Sequence, residues 1–277
     1  MTKPIPRFAI IVGAMKSGTT YLFSLLEQHP EVAGCKIKEP EYFVKNDYDN
    51  NAIEKYYELW EFDHAKHKVA IEASTSYTKI PQFTSPAERI KQSGIKTKII
   101  YIMRHPVERI CSQIKISNHF GWKVFNEDGK INIDTISVSK YYLQISEYYK
   151  RFPREDILLL SFESFTQNPN ETLTKICKFL DIDPSFKFKL KEGSLHKSTI
   201  YLYKDNYITR GLFGIFSHKE YLALLKENKM RAKLLLWYLK VSGKLSRSQK
   251  RSINNEIKED IEKIKTVLGF DTSIWKL

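Results

Sequence analysis

Cysteine is scarce in this chain. Its three cysteines, Cys35, Cys111 and Cys177, are odd in number and far apart. That excludes a disulfide framework and points to a reducing compartment. No two of them have metal-ligand spacing. Cys111 and Cys177 lie among apolar helical neighbours and read as small buried hydrophobes. Long apolar runs are missing too, so no segment is expected to cross a bilayer. The opening MTKPIPRFAIIVGAMKSG has a charge before an apolar run, as a secretory leader would. The run is too short, and no small-residue cleavage site follows it. It reads as a first strand, and the expected location is cytoplasmic. Internal repeats, low-complexity tracts and a convincing linker are also absent.

What is present is globular composition, 42% hydrophobic and 13% aromatic, in a chain of 277 residues that is long enough to bury a full core. It reads as one domain, 1–277, with an α/β core over 1–184 and a loop followed by helices over 185–277. Basic residues outnumber acidic ones by 45 to 32, a net charge of +13. Such an excess implies an anionic partner: nucleic acid, a membrane surface or an anionic cofactor. The charge is uneven, because residues 212–251 hold ten Lys or Arg against two Glu.

Apolar strand-like runs alternate with helical patterns. FAIIV (8–12), KVAI (68–71), KIIYIM (98–103) and ILLLS (157–161) are the strand candidates. Helices are expected over 19–28, 86–92, from Pro106 onward, over 138–151 and over 169–180. This order implies a central parallel β-sheet flanked by helices, with ligands at the carboxyl ends of the strands. Residues 185–216 look loop-like, and 219–240 and 247–268 read as two further helices. In the first of these, leucines, Trp237 and Tyr238 alternate with lysines. That pattern fits a helix packed on the core, and also peripheral membrane contact through 219–251.

Directly after the first strand comes Gly13-Ala-Met-Lys16-Ser17-Gly18-Thr19-Thr20. A triphosphate-binding loop places its lysine after the last glycine and follows it with a magnesium-binding hydroxyl. Here Lys16 comes earlier, and Thr19 occupies the lysine's usual place. Backbone N–H groups and the helix N-terminus still suit an anion, with hydroxyls from Ser17, Thr19 and Thr20 beside them. No acidic magnesium partner ends a strand; KIIYIM runs instead into Arg104. Ser112 follows eight residues later, on the next helix. Arg104 and Ser112 together suit a second phosphate. A magnesium-dependent NTP-binding protein with a basic tail is the competing class.

Taken together, these segments resemble the PAPS-dependent sulfotransferases, a P-loop-like family. GAMKSGTT resembles that family's loop for the 5′-phosphosulfate, and RHPVERICS its 3′-phosphate motif. LLLSFESFTQNP (158–169) and the ending KEDIEKIKTVLGFDTSIW extend the likeness. The resemblance implies PAPS (3′-phosphoadenosine 5′-phosphosulfate) as donor, adenosine 3′,5′-bisphosphate (PAP) as product and no metal. It assigns Lys16, Ser17, Gly18, Thr19, Thr20, Arg104 and Ser112 to the cofactor, with Phe162 near the adenine. His196 and Lys197 are the nearest match to its late basic loop.

Lys36-Ile-Lys38-Glu39-Pro40-Glu41 resembles the K-E-P segment of the glycan-type members, which makes Glu39 the expected acceptor base. His119 is the second candidate. Lys38, Glu39, Glu41 and Glu72 are expected to meet the acceptor. Glu41 stands where relatives often carry His, and Ala73 where they often carry Lys. Both changes favour an amine-bearing small molecule over an acidic glycan; a bacterial glycan or glycolipid remains the alternative. No nucleic-acid partner is expected.

Overall fold

A computed structural model describes residues 4–45, 47–49, 53–120, 122–127, 130–190 and 245–276, without the side chains of 118–120. Five parallel strands form one sheet: β1 (Phe8–Gly13), β2 (Val32–Gly34), β3 (Val69–Ala73), β4 (Thr97–Met103) and β5 (Ile157–Ser161), in the order β2-β3-β1-β4-β5. This is the expected α/β architecture. β1 and β3 are buried along their whole length, as parallel strands covered on both faces must be.

The helices are α1 (Thr19–Leu26), α2 (Ile53–Tyr57), α3 (Pro86–Gln92), α4 (Pro106–Phe120), α5 (Ile133–Ser137), α6 (Tyr141–Tyr149), α7 (Phe162–Gln167), α8 (Pro169–Leu180) and α9 (Arg247–Thr266). β2, α2 and α7 were not legible in the sequence; each is six residues or fewer, too short for a periodic signal. The helix expected over 138–151 is α6 alone, and α5 precedes it. The break between them leaves Ser139 free to accept a hydrogen bond from Arg109. The helix expected over 247–268 is α9, while the one over 219–240 lies outside the described residues. No helix among the described residues is long and apolar enough to cross a membrane. All three cysteines are buried free thiols.

The strand order fixes where ligands sit. The chain leaves β1 through α1 toward β2, at the far edge beyond β3. It leaves β4 through α4 toward β5, at the opposite edge. The two connections diverge, so a crevice opens between the carboxyl ends of β1 and β4. Both sequence motifs, 13–20 and 104–112, follow those strand ends.

The C-terminal segment closes the fold. α9 lays Ile253, Ile257, Ile261 and Ile264 into the core, four buried residues at helical spacing. It starts with a capping box, in which Ser246 and Gln249 each bond the other's backbone N–H. Asp260 then accepts the backbone N–H groups of Tyr142 (2.9 Å) and Leu143 (2.8 Å), at the start of α6. Burial lifts the Asp260 carboxyl to about 6, so it is ionised at neutral pH and faces the positive end of that helix. Asp260→Ala is expected to cost about 1–2 kcal/mol, the size of a lost N-terminal cap, in urea unfolding at pH 7. An unchanged midpoint would show that α9 does not hold α6 this way.

Candidate functional site

The loop after β1 is built for close approach. Gly13 has φ 154°, and a Cβ there would collide with the Thr78 hydroxyl and crowd the Tyr101 ring. The Ala14 N–H still bonds the Ile102 carbonyl at 2.8 Å, so the loop starts anchored to β4. Lys16 takes a left-handed backbone, φ 69°. Such a residue within a tight turn makes successive N–H groups converge on one point. Gly18, φ 86°, is the N-cap of α1; a Cβ there would stand 2.9 Å from the Phe162 ring. α1 has no side-chain cap and no acid in its first turn, which leaves its first N–H groups open to an anion.

Two residues past Ile102, Arg104 leaves β4 and turns back over the loop. Its Nη1 donates to the Lys16 carbonyl at 3.4 Å. The register Met103↔Ser161 sets Arg104 beside Phe162, and the guanidinium stacks on that ring, 4.9 Å from its centroid. Phe162 therefore packs between Gly18 and Arg104, where it supports both phosphate motifs. Ser112 lies on the buried side of α4. Ser17 and Thr19 are buried, and Thr20 is exposed.

Charge of one sign crowds this crevice. Burial, then Arg104 and Arg109, lower the Lys16 ammonium to about 8; Glu39 pulls the other way. Arg109 was not singled out from the sequence. It is fully buried and donates to neutral groups: Ser139 Oγ, Gln113 Oε1 (2.9 Å) and the Thr135 carbonyl (2.7 Å). Burial and Arg104 lower its pKa to about 10. Ser17 Oγ and His105 Nδ1 are buried without a hydrogen-bond partner among the described residues, one in each motif. Two orphaned polar atoms and an excess of cations fit a nucleotide carrying a phosphate at each end.

Glu39 lies on the same side as Lys16, whose ammonium feels its charge. Its carboxylate pairs with Lys38 at 2.8 Å, both side chains about one-third exposed. Glu41 is half-buried; it accepts from the Ser76 hydroxyl, and its N–H donates to Ser74 Oγ at 3.1 Å. Lys79 also donates to Ser76 Oγ, at 3.2 Å. Burial lowers the Lys79 ammonium, and the charges of Glu41 and Glu39 raise it. The surface around Glu39 and Glu41 is therefore mixed in charge, with Lys38 and Lys79 beside the two acids. Lys79 carried no motif that would have revealed it; the fold brings it in from the turn after β3.

Glu72 departs from its expected place. It is fully buried and accepts hydroxyls from Tyr56 (2.6 Å), Ser74 (2.7 Å) and Tyr77 (3.3 Å). Burial raises its carboxyl to about 7. It braces the turn that carries Ser74 and Ser76 rather than meeting an acceptor. The His119 side chain, His196 and Lys197 lie outside the described residues.

A family model described as "Sulfotransferase domain" matches residues 6–213. The membrane-associated sulfotransferase kil1 of Dictyostelium discoideum is 37% identical over 115 residues, which cover 41% of this chain and 23% of that protein. Heparan sulfate glucosamine 3-O-sulfotransferase 5 of Mus musculus is 26% identical over 200 residues, 66% of this chain and 56% of that protein. The chain thus spans between about a quarter and just over half the length of these two relatives. Among solved structures, a sulfotransferase from Alicyclobacillus acidocaldarius superposes with a TM-score of 0.67 at 17% identity, covering all of both chains, which shows the shared fold.

The lowered Lys16 pKa predicts that anion binding in this loop depends on pH. An anion in the loop raises that pKa, so above pH 8 binding takes up a proton. Affinity for a phosphate-bearing nucleotide is expected to be level below pH 8 and to fall by up to about tenfold per unit above it. Calorimetry across pH 7–9.5 checks this. Lys16→Arg, charged throughout, should flatten the profile; an equally steep profile in that variant would place the titration elsewhere.

Proposed function

We propose that the chain, which belongs to the sulfotransferase domain family, moves a sulfonate group from PAPS to a hydroxyl or amine of an acceptor and releases PAP. The observation that carries this reading is the meeting of Lys16 and Arg104 in one crevice, with Arg104 Nη1 on the Lys16 carbonyl at 3.4 Å. PAPS supplies a sulfonate already bonded to a phosphate leaving group.

The chain's own residues supply position and charge. The N–H groups of the loop and of α1, with Ser17, Thr19 and Thr20, hold the 5′-phosphate. Arg104 and Ser112 hold the 3′-phosphate. As the acceptor atom bonds to sulfur, the bond from sulfur to the bridging oxygen breaks, and charge grows on that oxygen. Lys16 neutralises it, which lowers the barrier where charge develops. Glu39 takes the proton that the acceptor loses. Neutralisation in this scheme falls to Lys16 and Arg104, with no metal assigned.

For the acceptor, the reading favoured here is a small natural product bearing an amine or guanidine. Its support is in the sequence, an acid at Glu41 where relatives often carry His and Ala73 where they often carry Lys. A glycan or glycolipid is the second reading. Lys79 favours it, as a cation on the acceptor side, and so does the kinship to a protein named for heparan sulfate.

Two variants separate binding from chemistry. Arg104→Ala is expected to weaken PAP binding by about 100-fold, in line with loss of a charged hydrogen bond worth 2–3 kcal/mol. Glu39→Gln should bind PAP as the wild type does and lose at least about 100-fold in transfer rate. Transfer by Glu39→Gln at the wild-type rate would remove Glu39 as the base. A screen of amine-bearing metabolites and unsulfated glycans with labelled PAPS, read by the mass gain of one sulfonate, decides between the acceptors. Labelling confined to glycans would overturn the small-molecule reading.

A further inference from the structure

We propose that the C-terminal turn positions the second phosphate site: Trp275 and Tyr141 set the backbone of Arg104 and His105 without touching a ligand. The proposal rests on the reading of Arg104 as the 3′-phosphate donor.

Arg104 and His105 occupy an awkward stretch. β4 ends at Met103, and α4 begins at Pro106, which has no N–H. The two residues between them have left the sheet ladder, and only the His105 carbonyl is met by the helix, accepting the Arg109 N–H at 2.9 Å. Their two N–H groups and the Arg104 carbonyl, half-buried, need partners from elsewhere. Side chains supply them. The Tyr141 hydroxyl donates to the Arg104 carbonyl at 2.6 Å and accepts the Arg104 N–H at 3.4 Å. Glu163 accepts the His105 N–H on Oε1 at 2.8 Å.

Both partners are in turn held by Trp275. Its indole Nε1–H donates to Glu163 Oε2 at 3.0 Å, and the Ser161 hydroxyl donates to the same oxygen at 3.0 Å. Its ring lies 5.6 Å from the Tyr141 ring. Trp275 is 1% exposed, in the single helical turn Ser273–Trp275. A buried Phe would fill only part of that space, and the indole is further distinguished by its N–H, which ends on the carboxylate that holds His105. α9 completes the arrangement, because Asp260 bonds the N–H groups just after Tyr141. The C-terminal segment therefore grips the phosphate-binding stretch at both backbone residues, while the 13–20 loop is anchored on β4 through Ala14 and packs on Phe162, meeting that stretch only through the Arg104 side chain.

That division of anchors gives the test. PAP and adenosine 5′-monophosphate share the 5′-phosphate and the base, and only PAP has the 3′-phosphate. Both are titrated calorimetrically into wild type, Trp275→Phe and Tyr141→Phe, with thermal unfolding as a check on folding. Wild type should bind PAP more tightly. In each variant PAP affinity should fall about tenfold while the monophosphate changes less than twofold, so the ratio between the two collapses. In turnover, KM for the donor should rise with kcat little changed. Should Trp275→Phe not fold, Tyr141→Phe carries the test, since it keeps the ring and removes only the hydroxyl. A ratio unchanged in the variants, or equal losses for both nucleotides, would overturn the proposal alone. A wild type that binds both nucleotides equally would overturn the reading of Arg104 and the proposal with it.

Discussion

Lys16 and Arg104 meet at the carboxyl ends of β1 and β4, and the charge of Arg109, buried on α4, reaches Lys16 as well. Burial and its two neighbours push the Lys16 ammonium down to about 8. Arg109 is fully buried and is solvated by a hydroxyl, an amide and a carbonyl. Isolated like charges in a low-dielectric site are costly unless something neutralises them. Arg104 is held in place by aromatic stacking on Phe162 and by Tyr141 on its backbone. The fold thus keeps an excess of positive charge at the carboxyl end of the sheet, which suits the anionic donor of the proposed reaction.

The sheet order explains why the charge collects there. The connections leaving β1 and β4 run to opposite edges, so their loops part and face each other across a gap. A glycine loop at one side and a strand-end arginine at the other then converge, although 88 residues separate Lys16 from Arg104. Gly13 and Gly18 permit the approach, one against Thr78 and Tyr101, the other against Phe162.

Much of this was legible in the sequence. The four longer strands, most of the longer helices and the placement of the 13–20 and 104–112 segments at strand ends follow from apolar runs and from local order within the loops. The remainder depended on contacts distant in sequence. Lys79 joins Glu39 and Glu41 only because the turn after β3 folds toward them. Glu72, an acid at the end of a strand, looked available to an acceptor; three hydroxyls from separate segments make it part of the interior. Trp275 reads as an ordinary aromatic near the C-terminus until Glu163 is seen beside it. Residue type and spacing carry local chemistry, whereas burial and long-range partners decide which polar groups remain free to act.

The most direct measurement is a titration of the wild-type protein with PAP in the presence of EDTA, set against ATP with magnesium. The account predicts tight, metal-independent binding of PAP, with weak or undetectable binding of ATP–magnesium. Tight binding of ATP–magnesium with no response to PAP would contradict it.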